Sequence, residues 1–432
     1  MAAGEVVVAV DFGASSIRVC RVDLGTRAVE VVHRHAHGPV PDGRGHLRWD
    51  WDRLVAEMDR GLAMAADRGP VASIGVDTWG VDYGLLDRRG ELVAPPFSYR
   101  DDRTAGYREV VDRAGGEAAL YARTGVQLQP FNTLFQVAAH DRDELARARH
   151  LVLLPELLVH HLTGEVVAER TSAGTTALVD MASGAWSAAL AEVAGLDPGL
   201  LPPIAAAGTR VGAWRGIPVH LVGGHDTASA VVAAGPVFVS AGTWLLAGCE
   251  RPQPDLGAAA RRDNFTNEIG ALGGIRFLRN LAGSWLVEGC RPAWGDPGVD
   301  ELDAAASAVD PPDALLDVAD PRFLHPDDML AEVTGALGLP GDAPPPVVVR
   351  GIVEAQAAGT AAVLDRAGTG GPVAVVGGGV RSSLYLCRLA ERSGRRVVAG
   401  PVEATALGNA LVQGVALGVY SDLADARGEA RR

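Results

Sequence analysis

The sequence predicts an α/β protein made of two related halves, and three observations carry that prediction. The chain has 432 residues, too many for one ordinary hydrophobic core and suited to two domains. A strand, a turn of small residues and a second strand open the chain, and the same order recurs past its midpoint. Late in the chain an apolar strand runs into three successive glycines and then a helical stretch, an order that suits close approach of a ligand to the backbone.

Residues 6–10 are a continuous apolar run and read as a buried strand. Residues 11–16 follow as a turn, and residues 17–22 alternate like the second strand of a hairpin. Trp51, Leu54, Met58 and Leu62 have helical spacing, which places a helix over residues 50–67. Residues 73–77 and 84–86 read as strands, and 105–122 and 133–148 as helices. Between 211 and 218 the composition shifts to Gly, Arg and Pro, which suits a domain junction. A strand over 219–222 then ends at Gly223-Gly224-His225-Asp226. Residues 237–240 lead into Ala241-Gly242-Thr243, and 244–247 continue as a strand, so the turns 11–16 and 240–243 read as equivalent devices in two halves. Residues 310–346, rich in Pro and Asp, read as irregular. A strand over 373–376, Gly377-Gly378-Gly379, a helix over 382–393, a short strand over 396–399 and a helix over 404–417 complete the chain.

Composition narrows the chemistry. There are 53 acidic and 39 basic residues, a formal charge of −14, so no basic stripe is available to track a nucleic-acid backbone. All 39 basic residues are arginine. The absence of lysine excludes a Schiff-base lysine, a Walker-A lysine and the strand lysine of a protein kinase. Cys20, Cys249, Cys290 and Cys387 lie far apart, which argues against a disulfide framework or a zinc knuckle and for free thiols in a reducing compartment. No apolar run reaches the roughly 18 residues that span a bilayer, and Asp11 interrupts the short N-terminal run. A cytoplasmic protein without a membrane partner is the expectation.

Several segments carry candidate chemistry. In the first turn, small residues let backbone N–H groups approach an anion, and the carboxylate of Asp11 could help hold Mg²⁺ beside phosphate oxygens. An ordinary hairpin with an aspartate in its turn is the competing reading. Ser240-Ala241-Gly242-Thr243 repeats the arrangement with hydroxyl donors, and the pair at matching places suggests one duplicated phosphate clamp. Asp226 could take a proton from a sugar hydroxyl as that oxygen attacks a phosphoryl group, or could cap the helix that follows it. Residues 77–83 set carboxylates around a tryptophan and a glycine, which suits a polyol, although a buried tryptophan in a turn would look the same. Residues 99–104 read as a solvated salt-bridge cluster, His33, His35 and His37 as an exposed strand face, and His160-His161 as structural.

Together these segments resemble the FGGY family of carbohydrate kinases over nearly the whole chain and in the same order. The landmarks are AVDFGASSIR (9–18), IGVDTWGVDYGLLD (74–87), YRDDRT (99–104), GVQLQPFNTLFQ (125–136), TSAGTTALVD (171–180), HDTASAV (225–231), SAGTWLL (240–246), NFTNE (264–268), VGGGV (376–380) and AGPVEATALGNALVQG (399–414). The resemblance implies a duplicated actin/Hsp70-like ATPase fold, ribonuclease H-like in each half, with two domains around a central cleft. Residues 1–216 would form an N-terminal domain for sugar binding and the first phosphate turn. Residues 217–432 would form a C-terminal domain with the base and the nucleotide contacts.

The implied activity is phosphorylation of L-rhamnulose at its 1-hydroxyl with ATP and Mg²⁺, by a monomer or small homo-oligomer. Another ketose such as L-fuculose or L-xylulose is the alternative, and a catalytically weak sugar sensor on the same fold ranks below both. The resemblance makes Asp226 the base and Asp11 the acid that organises Mg²⁺. It assigns Ala14, Ser15, Ser16, Ile17, Arg18, Thr243, Glu288 and Gly378 to ATP, and Gly80, Asp82, His225, Asp226, Thr227 and Asn280 to the substrate. Four positions depart from the family pattern. Ile17 replaces a glycine, Ala241 and Leu245 replace two serines, and Glu288 stands where a glutamine is usual.

Overall fold

The computed structural model describes residues 5–324 and 326–428. The chain forms two compact units: Met1–Ala233 with Arg251–Arg276 and Thr405–Arg432, and Ala234–Glu250 with Phe277–Ala404.

The first unit is built on a six-stranded sheet. Its strands are β1 (Val6–Gly13), β2 (Ser16–Asp23), β3 (Val29–Ala36), β4 (Ile74–Thr78), β5 (Arg210–Trp214) and β6 (Ile217–His220), in the order β5-β6-β4-β1-β2-β3. β1 pairs antiparallel with β2 from Val6↔Asp23 to Gly13↔Ser16, so only Ala14 and Ser15 make the turn. β1 pairs parallel with β4, which sets Asp11 opposite Asp77 and Phe12 opposite Thr78. Helix α1 (Trp51–Asp67) starts at Asp50, whose side chain accepts from Arg53 N. Its buried Leu54, Met58 and Leu62 join Val8, Val10 and Val19 of the sheet in one core. Close approach is possible because residue 61 is glycine: a Cβ there would stand 2.9 Å from Val19 Cβ.

In the second unit, β7 (Val237–Ala241) pairs antiparallel with β8 (Trp244–Arg251), and β10 (Val373–Val376) pairs parallel with both β7 and β11 (Val397–Ala399). With β9 (Ile275–Ala282) the strand order is β9-β8-β7-β10-β11. The five core strands of the first unit follow the same scheme, β3-β2-β1-β4-β6. The duplication read from the two turns is therefore a duplication of sheet topology.

Three helices complete the frame. α2 (Asp226–Ala234) starts at the candidate base. α3 (Pro345–Arg366) is the one helix among the described residues long and apolar enough to cross a membrane, and most of it is buried inside the protein. α4 (Ala404–Ala416) lays Ala406 and Ala410 against Val7, Ala9 and Cys20. The four cysteines are free thiols, and only Cys387 is exposed.

Several expectations need correction. Residues 211–218, read as a junction, lie within the edge hairpin β5–β6, turned by Gly216 at φ 84°. The stretches 105–122 and 133–148 each break into two short helices, at Gly115–Gly116 and at Asp141, which caps the second helix of its pair. Residues 310–346 are not wholly irregular: Asp328 caps a helix over Met329–Ala336, and α3 begins at Pro345. His33 and His35 are not an exposed face, because β3 presents them to Glu57 of α1, with His33 Nε2 2.9 Å from Glu57 Oε2. The 99–104 loop is not solvated either. Asp101 is buried and accepts from Leu47 N, and Arg103 donates to Gln136 Oε1 at 2.6 Å.

Candidate active site

The first unit gathers most of the residues singled out in the sequence. Asp11 lies fully buried on β1, and Arg18 of the neighbouring β2 reaches it with Nη2 3.0 Å from Oδ1 and 2.9 Å from Oδ2. On the other side of Asp11 stands Asp77 of β4, whose Oδ2 accepts from Asn409 Nδ2 at 2.6 Å. Burial first, and then the charge of Asp11, push the Asp77 carboxyl well above the usual carboxylate range, against the pull of Asn409 and Arg18. Asp226 adds to the same negative field. Negative charge is thus concentrated at the C-terminal end of β1 with Arg18 as a partial counterweight, a donor set that suits a divalent cation. Among the described residues no three ligating side chains form a metal cage of their own. Mg²⁺ needs no such cage, since one or two carboxylates plus phosphate oxygens satisfy it, and Asp11 fits that role.

Asp226 is the first residue of α2, and the bonds Ala228 N→His225 O and Ser229 N→His225 O place the helix start on His225. The Asp226 carboxylate accepts through Oδ1 from the backbone and hydroxyl of Thr227, and its side chain is 28% exposed. No hydrogen bond engages Oδ2 among the described residues. His225 lies with Nε2 3.5 Å from Asp226 Oδ1 and Nδ1 3.3 Å from Glu268 Oε2. Burial alone would raise Glu268, but Arg276, with Nη1 3.0 Å away, and His225 bring it below the usual carboxylate range. The His225 ring is thereby held between two acidic side chains. Thr78 bridges to His225, and Thr78 N donates to Gly224 O at 2.9 Å. A Cβ on Gly80 would stand 3.3 Å from His225 Cδ2, so a side chain at residue 80 would crowd this ring.

Asp82 lies beside this group but has a different set of partners. Its Oδ2 accepts from Trp49 Nε1 (2.7 Å), Trp79 Nε1 (2.9 Å) and Tyr99 N (3.2 Å), and Oδ1 accepts from Gln136 Nε2 (3.0 Å). Burial raises its pKa against these donors. The carboxylate fixes two tryptophan rings whose centroids are 4.4 Å apart. His37 stands 5.6 Å from each ring, with Nε2 2.9 Å from Gly13 O in the first turn. Ile17 turns its side chain into the core, so the turn it follows presents backbone rather than that side chain.

The second unit brings its own segments together. Parallel pairing of Ser240 with Val376 sets the turn after β7 beside the glycine loop after β10. The approach requires glycine: Gly377 has φ 83°, and a Cβ there would stand 2.8 Å from Ala241 O. Nothing lies within 4 Å of a Cβ built on Gly378. Thr243 O accepts from Gly283 N (3.1 Å) and Trp285 N (3.3 Å), which docks the short helix Trp285–Cys290 on the turn. That helix carries Glu288, held by Arg291 Nη1 at 2.5 Å. Asn280 lies on β9, three residues before Gly283.

Sequence reasoning did not single out Trp49, Gln136, Glu156, Glu169, Glu268, Arg276 or Asn409. Gln136, Glu268 and Asn409 fall inside segments that carried the family resemblance, which was the available signal. The others gave none, because their roles arise from pairings distant in sequence.

Two family profiles cover the chain: the N-terminal domain of the FGGY family of carbohydrate kinases over residues 6–235 and its C-terminal domain over 237–417. The chain belongs to the FGGY family of carbohydrate kinases. It is 36% identical to a rhamnulokinase of Bacteroides thetaiotaomicron, across 97% of this chain and 92% of that protein. It is 37% identical to a rhamnulokinase of Klebsiella pneumoniae, across 94% and 88%. Among solved structures, a ligand-bound xylulose kinase from Lactobacillus acidophilus superposes with a TM-score of 0.82 at 14% identity, covering 99% of this chain and 92% of that one.

Proposed function

We propose that this protein transfers the γ-phosphoryl group of ATP to the 1-hydroxyl of L-rhamnulose, giving L-rhamnulose 1-phosphate and ADP. The choice of sugar draws on the names of the full-length relatives. The observation that carries the chemistry is the Asp226 carboxylate, half engaged by Thr227, partly exposed and flanked by His225.

In this reading Asp226 takes the proton from the sugar hydroxyl as that oxygen bonds to the γ-phosphorus and the bond to the ADP oxygen breaks. Gly80, Asp82, His225, Thr227 and Asn280 serve the sugar, with Asp82 acting through the rings of Trp49 and Trp79. Ala14, Ser15, Ser16, Ile17 (by its backbone) and Arg18, with Thr243, Glu288 and Gly378, serve the nucleotide. Asp11 would hold Mg²⁺, which when bound would supply positive charge against the phosphates. In this reading residues 1–216 supply Gly80, Asp82 and the first phosphate turn, and residues 217–432 supply the base, the further sugar contacts His225, Thr227 and Asn280, and the remaining nucleotide contacts.

The test is ATP turnover by the purified protein across a panel of ketoses, with the position of the product phosphate determined by NMR. L-rhamnulose is expected to give the highest kcat/KM and a 1-phosphate. A higher value for L-fuculose or L-xylulose would replace the sugar and keep the mechanism. ATP-dependent phosphorylation of no ketose would overturn the reading.

A further inference from the structure

Two buried carboxyls, Glu156 and Glu169, stand under the loop that carries Asp226 and take no part in the reading above. Oε2 of Glu169 accepts from Thr171 N (2.8 Å), Thr171 Oγ1 (2.5 Å), Ser172 N (3.3 Å) and Gly224 N (3.0 Å). Thr171 Oγ1 in turn accepts from His225 N at 3.2 Å. The backbone N–H groups of the two residues before Asp226 are therefore both tied to Glu169, one directly and one through a single hydroxyl. From the other side Thr78 N holds Gly224 O.

Gly224 shows how closely the two acids converge. A Cβ there would lie 2.9 Å from Glu156 Oε1 and 3.2 Å from Glu169 Oε2. Each acid also leaves one oxygen, Glu156 Oε2 and Glu169 Oε1, with no hydrogen-bond partner among the described residues. Two buried anions side by side would repel and leave both oxygens bare. One proton between them removes a charge and supplies a donor. Burial, then the charge of Glu169, push Glu156 well above the usual range, which puts the proton on Glu156. Burial raises Glu169 to about 7 against the donors of Thr171 and Gly224.

We propose that Glu169 is the positioning residue for Asp226, its one oxygen fixing the 224–226 loop, and that Glu156 carries the single proton of the pair. The inference rests on the reading of Asp226 as the base. Glu169 touches neither reacting group and acts only through the loop, so its loss should move kcat and spare ATP binding.

The experiment is steady-state kinetics on Glu169→Leu, Thr171→Val, Glu156→Gln, Glu156→Leu and Asp226→Asn in the full chain, with circular dichroism as a folding check. Glu169→Leu, which removes the oxygen that accepts all four bonds, is expected to lower kcat roughly ten- to a hundredfold, the scale of a small misplacement of a reacting group, with the KM for ATP within about twofold. Thr171→Val, a near-isosteric change that removes the hydroxyl joining His225 N to Glu169 Oε2, should lower kcat in the same direction. Glu156→Gln keeps a donor and should retain severalfold more turnover than Glu156→Leu. Wild-type kcat in Thr171→Val, or in a folded Glu169→Leu, overturns the proposal, as does equal turnover in the two Glu156 variants. Asp226→Asn separates the two ideas. If it keeps full turnover, the base assignment itself fails. If it is inactive while Glu169→Leu and Thr171→Val are unimpaired, only the positioning role fails.

Discussion

Asp77 lies directly opposite Asp11 in the parallel register of neighbouring strands, and both side chains are fully buried. The arrangement is tolerable because the Asp77 carboxyl is pushed well above the usual range by burial and by Asp11, and so stays neutral where Asp11 is an anion. A carboxyl with a raised folded-state pKa adds stability below its unfolded value, and that contribution is lost as pH rises through the folded value. Asp77→Asn, which mimics the neutral acid, should match the wild type in urea unfolding at pH values below the ordinary aspartate pKa of 3.8 and lose less stability as pH rises. Asp77→Leu strips the acceptor from Asn409 Nδ2 and should cost about 1–3 kcal/mol. A Asp77→Asn variant as unstable as Asp77→Leu would show that the group is needed as an anion.

Asp226 begins α2, and Thr227 engages only its Oδ1. The carboxamide of Asp226→Asn can still accept through one oxygen, so the helix start should survive while the basic oxygen is gone. Turnover is expected to drop roughly 10²–10⁴-fold with ATP and sugar binding retained. Calorimetric titration of both ligands alongside kcat checks this, and unchanged turnover would leave Asp226 with the helix start alone.

The turn at Thr243 is held through its backbone, since Thr243 O accepts from Gly283 N and Trp285 N. Thr243→Val therefore removes a hydroxyl without dismantling the turn. Loss of one hydrogen bond to a charged phosphate is worth about 1.5–3 kcal/mol, so kcat/KM for ATP should fall roughly ten- to a hundredfold while sugar affinity holds. The reverse pattern, a collapse of sugar affinity with ATP handling intact, would remove this turn from the phosphate clamp.

What the sequence revealed was what short-range order encodes. Two strands joined by small residues are a local pattern, and their recurrence predicted two sheets of one topology. Pairing across the chain is not local: Asn409 reaches Asp77 over 332 residues, and Glu169 reaches Gly224 over 55. His33 and His35 were misjudged for the same reason, because whether β3 faces solvent depends on where α1 and its Glu57 pack. The 310–346 stretch misled through composition, since its Asp and Pro residues mark helix starts at Asp328 and Pro345 as well as loops. Asp82 illustrates a finer limit. Residue types showed a carboxylate beside a tryptophan, but not that four protein donors fill its oxygens.

His37 joins the first turn to the tryptophan pair, and this makes an acid-side prediction. A carbonyl only accepts, so the 2.9 Å contact to Gly13 O places a proton on Nε2, and the neutral ring carries its lone pair on Nδ1. Burial lowers the pKa to about 4, the Gly13 carbonyl opposes that shift, and the charges of His35 and Arg100 reinforce it. The folded-state value thus lies below the ordinary 6.5. Stability from the neutral ring is present above about 6.5 and is lost as pH falls through about 4, at most about 1.4 kcal/mol per pH unit within that window. Urea unfolding of the wild type should show this acid limb. His37→Gln keeps an N–H donor and has no titrating group, so its stability should fall less between pH 6.5 and 4. NMR titration of the histidine should give a midpoint near 4, and because His37 N also donates to Ser15 O, the turn's amide signals should move with it. A midpoint at the ordinary histidine value, or identical acid limbs in the two proteins, would mean that the ring is solvated and does not brace the turn.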